Sequence, residues 1–203
     1  MSAIKSKKSN SSKTPLKSIV NPTEDNTAAL EREKSLEEVT IELGKTKEED
    51  RNNAIDAAKV LTQDEVIQQF NQSAVKLFTD AYNITVNRGK EREYKIGGYK
   101  FLYEKAVKMN KETPIDQFTL IILKYATDIY ARNAEKFLKM DIPDEIKLES
   151  DKKNEFELIH SAEFKNLWRT LTLIEKDTII STIVEMTQFA HIFFIQKILE
   201  AQK

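Results

Sequence analysis

The chain has 203 residues and a net charge of −1, with 40% hydrophobic and 32% charged residues, four glycines, four prolines and no cysteine. A sandwich or barrel needs turn-forming residues roughly every ten positions, so this composition excludes one and favours long helices. The lack of cysteine excludes disulfides, thiolate catalysis and Cys-based zinc or iron–sulfur sites.

The near-neutral total conceals a division. Residues 1–23, MSAIKSKKSNSSKTPLKSIVNPT, hold Lys5, Lys7, Lys8, Lys13 and Lys17 and no acid, a charge of +5. With apolar residues scattered singly, the stretch cannot offset an ordering cost of roughly 1–2 kcal/mol per residue, and it reads as a flexible basic arm. Such an arm attracts phosphates or an acidic protein surface, with an affinity that falls as salt rises. No arginine or aromatic is interleaved, so base stacking and groove readout are unsupported and any nucleic-acid contact would be non-specific. A solubilising tail without a partner has the same composition. No apolar h-region with a small-residue cleavage site is present, so the expected location is intracellular or within a virus particle.

Residues 24–50 carry ten acids against Arg32, Lys34, Lys45 and Lys47, a charge of −6. Residues 24–61 read as a polar helical stalk. Leu36 and Leu43 fall seven apart with Val39 between them, a thin seam interrupted by Gly44, and Ile55, Ala58 and Leu61 line a second piece. A helix this polar is marginal alone and gains stability by lying on something, so Leu36, Val39 and Leu43 are expected in a core or interface.

The body spans 62–203. Thr62 and Glu65 form a capping box, followed by Val66, Ile67, Phe70, Ala74, Leu77, Phe78 and Ala81 at helical spacing. In 83–98, Ile84, Val86, Tyr94 and Ile96 alternate with polar residues around Asn87-Arg88-Gly89, which is compatible with a short β-hairpin near 84–96, with a loop, or with a continued helix. Gly97-Gly98 is expected to close that stretch. Thr113-Pro114 caps a helix predicted to run to about Met140 on a stripe of Ile115, Phe118, Ile122, Tyr125 and Ile129. After Pro143, Ser150 or Asp151 caps a helix bearing Phe156, His160, Phe164, Leu167, Trp168 and Leu171. Thr172 and Glu175 repeat the capping box ahead of a final helix to about Ala201.

Within that helix, residues 179–199 are long enough to cross a bilayer. A central acid, Glu185, costs about 2.5–3.5 kcal/mol on insertion. The polar positions Ser181, Glu185, Gln188 and Gln196 also follow helical spacing, broken by Ile192, leaving a narrow wet stripe on an otherwise apolar rod. Such a helix belongs between other helices, so Phe189, Phe193 and Phe194 are expected in the core or a protein interface, not in lipid.

Candidate chemistry is sparse. Glu157-Leu158-Ile159-His160 matches the Glu-x-x-His of di-iron bundles, which need two copies. The other histidine, His191, is preceded at that spacing by Gln188, a poor bridging ligand. Both histidines are better read as hydrogen-bonded across helices. No nucleophile elbow, P-loop or dinucleotide fingerprint occurs. No metal, cofactor, small-molecule ligand or membrane is therefore expected, and the protein is not expected to be an enzyme.

The reading is all-α: an irregular helical bundle behind a basic arm and an extended polar helical segment. The expected role is a non-catalytic interaction or structural component of a larger assembly, with non-specific nucleic-acid binding through the arm as the alternative. A basic arm ahead of a helical body resembles, in architecture alone, components of virus particles and nucleoprotein assemblies.

Overall fold

The computed structural model describes residues 23–138 and 162–202. The arm with Lys5, Lys7, Lys8, Lys13 and Lys17, and the segment holding Ser150, Asp151, Phe156, Glu157 and His160, lie outside the described residues. The fold is all-α, with no strand among the described residues.

The helices are α1 (Thr23–Lys45), α2 (Glu48–Val60), α3 (Gln63–Asn87), α4 (Glu91–Tyr94), α5 (Ile96–Met109) and α6 (Thr113–Ile121). A 3₁₀ turn (Leu123–Tyr125) then leads to α7 (Ala126–Tyr130), α8 (Ala134–Leu138), α9 (Ala162–Thr170) and α10 (Leu173–Ala201).

Helix α10 is the axis of the bundle and packs against α2, α3, α6 and α7. It runs antiparallel to α3. Lys76 Nζ donates to Thr182 Oγ1 at 3.2 Å near the middle, and Arg88 pairs with Glu175 at 2.6 Å at one end. At the other end Gln196 Nε2 donates to the Leu61 carbonyl at 2.8 Å. By length and composition α10 could cross a membrane, yet 61% of its most apolar stretch is buried inside the bundle. Ser181, Glu185 and Gln188 form the expected wet stripe. Gln196 departs from it and is buried at 7% exposure, because the open carbonyls at the end of α2 take its amide.

The polar segment lies on the body. Helix α1 rests along α6, the 3₁₀ turn and α7. Arg32 grips Asp116 through two bonds of 3.0 and 2.7 Å, and Glu42 accepts from the Thr127 N–H at 3.1 Å. Helix α2 buries Ala54 and Ala58, while Ile55 points to solvent. Its small inward residues let the backbone approach α10 closely.

Three local expectations are corrected. The hairpin near 84–96 does not form: Ile84 and Val86 belong to α3, which ends on Gly89 with φ 65°. Gly89 N–H bonds to Val86 O at 2.9 Å and Lys90 N–H to Thr85 O at 2.8 Å, a Schellman closure. A glycine at positive φ serves a hairpin turn and a helix C-terminus equally well, so Asn-Arg-Gly could not discriminate.

Gly97-Gly98 opens α5 instead of closing the preceding stretch. A Cβ on Gly97 would stand 3.1 Å from the Tyr82 ring, so the missing side chain lets α5 close on α3.

The long helix from 113 breaks after Ile121 into the 3₁₀ turn and α7, and Arg132 at φ 57° separates α7 from α8. Ile121, Ile122 and Leu123 are all buried. Consecutive residues on a straight α-helix point about 100° apart, so burying all three takes either neighbours all round, as for residues 190–194 of α10, or a change of winding, as here. The break turns them inward between α1 and α10.

Candidate functional site

Capping boxes set both long core helices: Thr62 with Glu65 opens α3, and Thr172 with Glu175 opens α10. Three buried polar junctions tie these helices to their neighbours. Asn71 of α3 donates from Nδ2 to the Lys111 carbonyl at 2.8 Å and accepts at Oδ1 from Tyr103 of α5 at 2.7 Å. Gln196 closes the end of α2, with bonds of 2.8 Å to Leu61 O and 3.4 Å to Ala58 O. In the third, His191 Nδ1 lies 3.2 Å from the Tyr130 hydroxyl, across α10 and α7.

The Tyr130–His191 pair has the composition of an acid–base site but not the electrostatics. Burial, with a smaller contribution from the charge of Arg51, lowers the His191 pKa to about 4, so the ring is neutral at pH 7. Burial, then the nearby Asp50 carboxylate, pushes the Tyr130 phenol above its ordinary value, so it stays protonated. A hydrogen bond between a phenol and an imidazole that burial keeps neutral joins α7 to α10. Among the described residues no cluster of three histidine or carboxylate side chains could hold a metal ion.

An open groove of 520 Å³ runs between α3 and α5, walled by Ile67, Val75 and Val107. Its polar lining is the Lys111–Asp64 pair, 3.0 Å apart, the Asn71 amide, Gln68 and Gln72. Nothing there aligns a nucleophile with a base.

Of the residues singled out in the sequence, the six apolar ones lie in the interior of the single chain. Val39, Leu43, Phe193 and Phe194 are buried in one continuous core, and Leu36 and Phe189 are partly buried against it. Exposed instead are Leu173 at 84%, Val60 at 81%, Ile174 at 80%, Met109 at 77%, and Phe101 and Leu30 at 65%, with Ile41, Leu199 and Ile198 less so. Sequence reasoning missed these. The available signal was position: Leu173 and Ile174 fall between the two members of a capping box, ahead of the buried face that starts at Ile179, and Val60 ends α2.

Five of them, Val60, Leu173, Ile174, Ile198 and Leu199, lie at the two ends of α10. Val60 lies between the carbonyls that Gln196 reaches, and Ile198 and Leu199 follow Gln196 directly in the chain. At the same end Lys197 pairs with Glu112 at 2.8 Å. Leu173 and Ile174 occupy the other end, where α9 turns into α10.

No protein-family model matches the chain. No solved structure matches it either. A protein of Acanthamoeba polyphaga mimivirus, "Uncharacterized protein R465", is 35% identical over 170 residues, covering 84% of this chain and 93% of that relative. At that identity over nearly the whole length of both, the chain belongs to the family of this mimivirus protein.

Proposed function

We propose that the protein is a non-catalytic helical subunit of a larger viral assembly, in the particle or in the infected cell, joined to other protein subunits through the Val60–Leu199 end of the bundle. The observation that carries this reading is a contrast between interior and surface. The buried polar groups at Asn71, His191 and Gln196 join helices to one another, whereas Val60, Ile198 and Leu199 stand in water at one end. Removing a fully exposed Val, Leu or Ile side chain from water is worth about 1.5–3 kcal/mol, and Ile198 and Leu199, at 38% and 43% exposure, have less than half of that left to gain. A contact built on these residues is individually weak, and it gains strength by repetition across an assembly. The viral source of the relative agrees with such a role.

Light scattering on the full chain tests it. The expected mass exceeds the single-chain 23.5 kDa at micromolar concentration and returns to it in V60S/L199S, with the melting temperature unchanged. A wild-type mass equal to one chain throughout, with no other subunit retained by the immobilised protein, would overturn the reading.

A second reading rests on the five lysines of residues 1–23 with no acid among them. The arm would hold nucleic acid without regard to sequence, with an affinity that falls steeply as salt rises. Deleting residues 1–23 separates the two. Loss of salt-sensitive retention on DNA or RNA supports the second reading, while the assembly reading expects the mass in solution to stay as it was.

A further inference from the structure

The end of α10 away from Val60 carries a surface of a different kind. Leu173 and Ile174 are the first two residues of α10, and folding makes no use of their side chains. The cap is made by Thr172 and Glu175, whose reciprocal bonds measure 2.7 and 3.3 Å. From the end of α3, Arg88 reaches the Thr170 carbonyl at 3.0 Å, the Thr170 hydroxyl at 2.8 Å and Glu175 at 2.6 Å. The turn between α9 and α10 is thus pinned, and it presents two branched apolar side chains on a fixed, projecting corner.

Charge around the corner is uneven. Arg88 is matched by Glu175 at 2.6 Å and Arg132 by Asp177 at 2.9 Å, so those pairs cancel, as do Glu91 and Glu93 against Lys90 and Arg92 at α4, which packs on α9. Lys165, Arg169 and Lys176 remain in excess, with no carboxylate partner among the described residues. Trp168, the single tryptophan of the chain, is half-buried at the same corner, with Lys176 Nζ 5.5 Å from its ring centre.

A protein partner would need a cavity deep enough for both Leu173 and Ile174. A bilayer surface accepts any projecting apolar group, its anionic headgroups complement a basic collar, and a half-buried tryptophan is favoured at that boundary. We infer that the α9–α10 corner docks the protein peripherally on an anionic lipid surface. The insertion cost that argues against α10 as a span does not apply, because α10 stays in the bundle and only its first turn enters the lipid. The surface lies at the opposite end of α10 from the assembly contact and does not depend on it.

The test uses the full chain with vesicles of phosphatidylcholine alone or containing roughly 30% phosphatidylserine, near physiological salt. The expected result is co-flotation and a blue shift of Trp168 emission with the anionic vesicles only. L173S/I174S should lose about tenfold or more in binding with its melting temperature unchanged. A chain lacking residues 1–22 should keep the blue shift. The inference is overturned by absence of flotation, or by undiminished binding in L173S/I174S, including binding that then disappears when residues 1–22 are removed. It is equally overturned if L173S/I174S dissolves a self-associated species in lipid-free solution, which would assign the corner to a second copy of the chain.

Discussion

Asn71 is a single side chain that ties three segments together, because both ends of its amide are used inside the core. Asn71→Leu would leave the Tyr103 hydroxyl and the Lys111 carbonyl without the partners they now have, at a cost of about 2–3 kcal/mol. Tyr103→Phe removes one bond and should cost less, about 1 kcal/mol, in parallel urea denaturations. His191 controls a pH dependence. Its folded pKa of about 4 lies below the ordinary 6.5, so the unfolded chain takes up the proton first. Stability attributable to this group is complete above pH 6.5 and is lost as pH falls toward 4, by up to about 3 kcal/mol. His191→Gln keeps a polar partner for Tyr130 without a titrating ring, so its urea midpoint should vary less across that interval. Tyr130 acts at the other extreme. With its phenol raised, stability is complete below the unfolded tyrosine pKa and declines as pH climbs past it. The sequence suggested hydrogen-bonded histidines, and for His191 this is what the fold contains. Its partner Tyr130 was not legible, since pairing across 61 residues is set by how α7 and α10 pack.

The two capping boxes were the most legible helix starts, because each is written in four consecutive residues and needs no distant partner; Thr113, read as a cap, instead lies inside α6 behind Glu112, and the start of α5 at Ile96 was read as an end. Both boxes form as read. Thr62→Ala should cost about 1 kcal/mol and Thr172→Ala more, since Glu175 also holds Arg88 and through it the end of α3. Comparing the two melting temperatures checks this order. Helix ends were less legible. Gly89 terminates α3 where a hairpin was equally compatible, and the break after Ile121 follows from three adjacent side chains all seeking the interior. Helix α2 is the extreme case: its last carbonyls are met by Gln196, more than a hundred residues away in the chain. No local pattern announces such a closure. The exposed Leu173-Ile174 pair escaped notice for a related reason, since the composition of α10 says nothing about where its buried face begins.

At the scale of the whole molecule, the apolar carboxyl-terminal rod is a bundle axis, as its interrupted polar stripe suggested. One core unites Val39 and Leu43 of α1 with Phe193 and Phe194 of α10, so the polar stalk and the body share an interior. A chain ending at residue 172 should therefore show weak helical circular dichroism and bind a hydrophobic dye. Retention of a cooperative melt in that fragment would contradict the central role given to α10. Partner surfaces were not legible, because they depend on what the fold leaves uncovered.

The position of α10 in the chain has a consequence during synthesis. Helices α1 to α9 are synthesised before residues 173–201 exist, so their inward faces have nothing to close around until the last helix has been made and released. The nascent protein is thus obliged to pass through an interval of open, adhesive intermediates, when a chaperone or a neighbouring nascent chain can reach surfaces that the finished bundle hides. Slowing translation within codons 150–172 should lengthen that interval and lower the soluble yield, without altering the stability of the molecules that complete it.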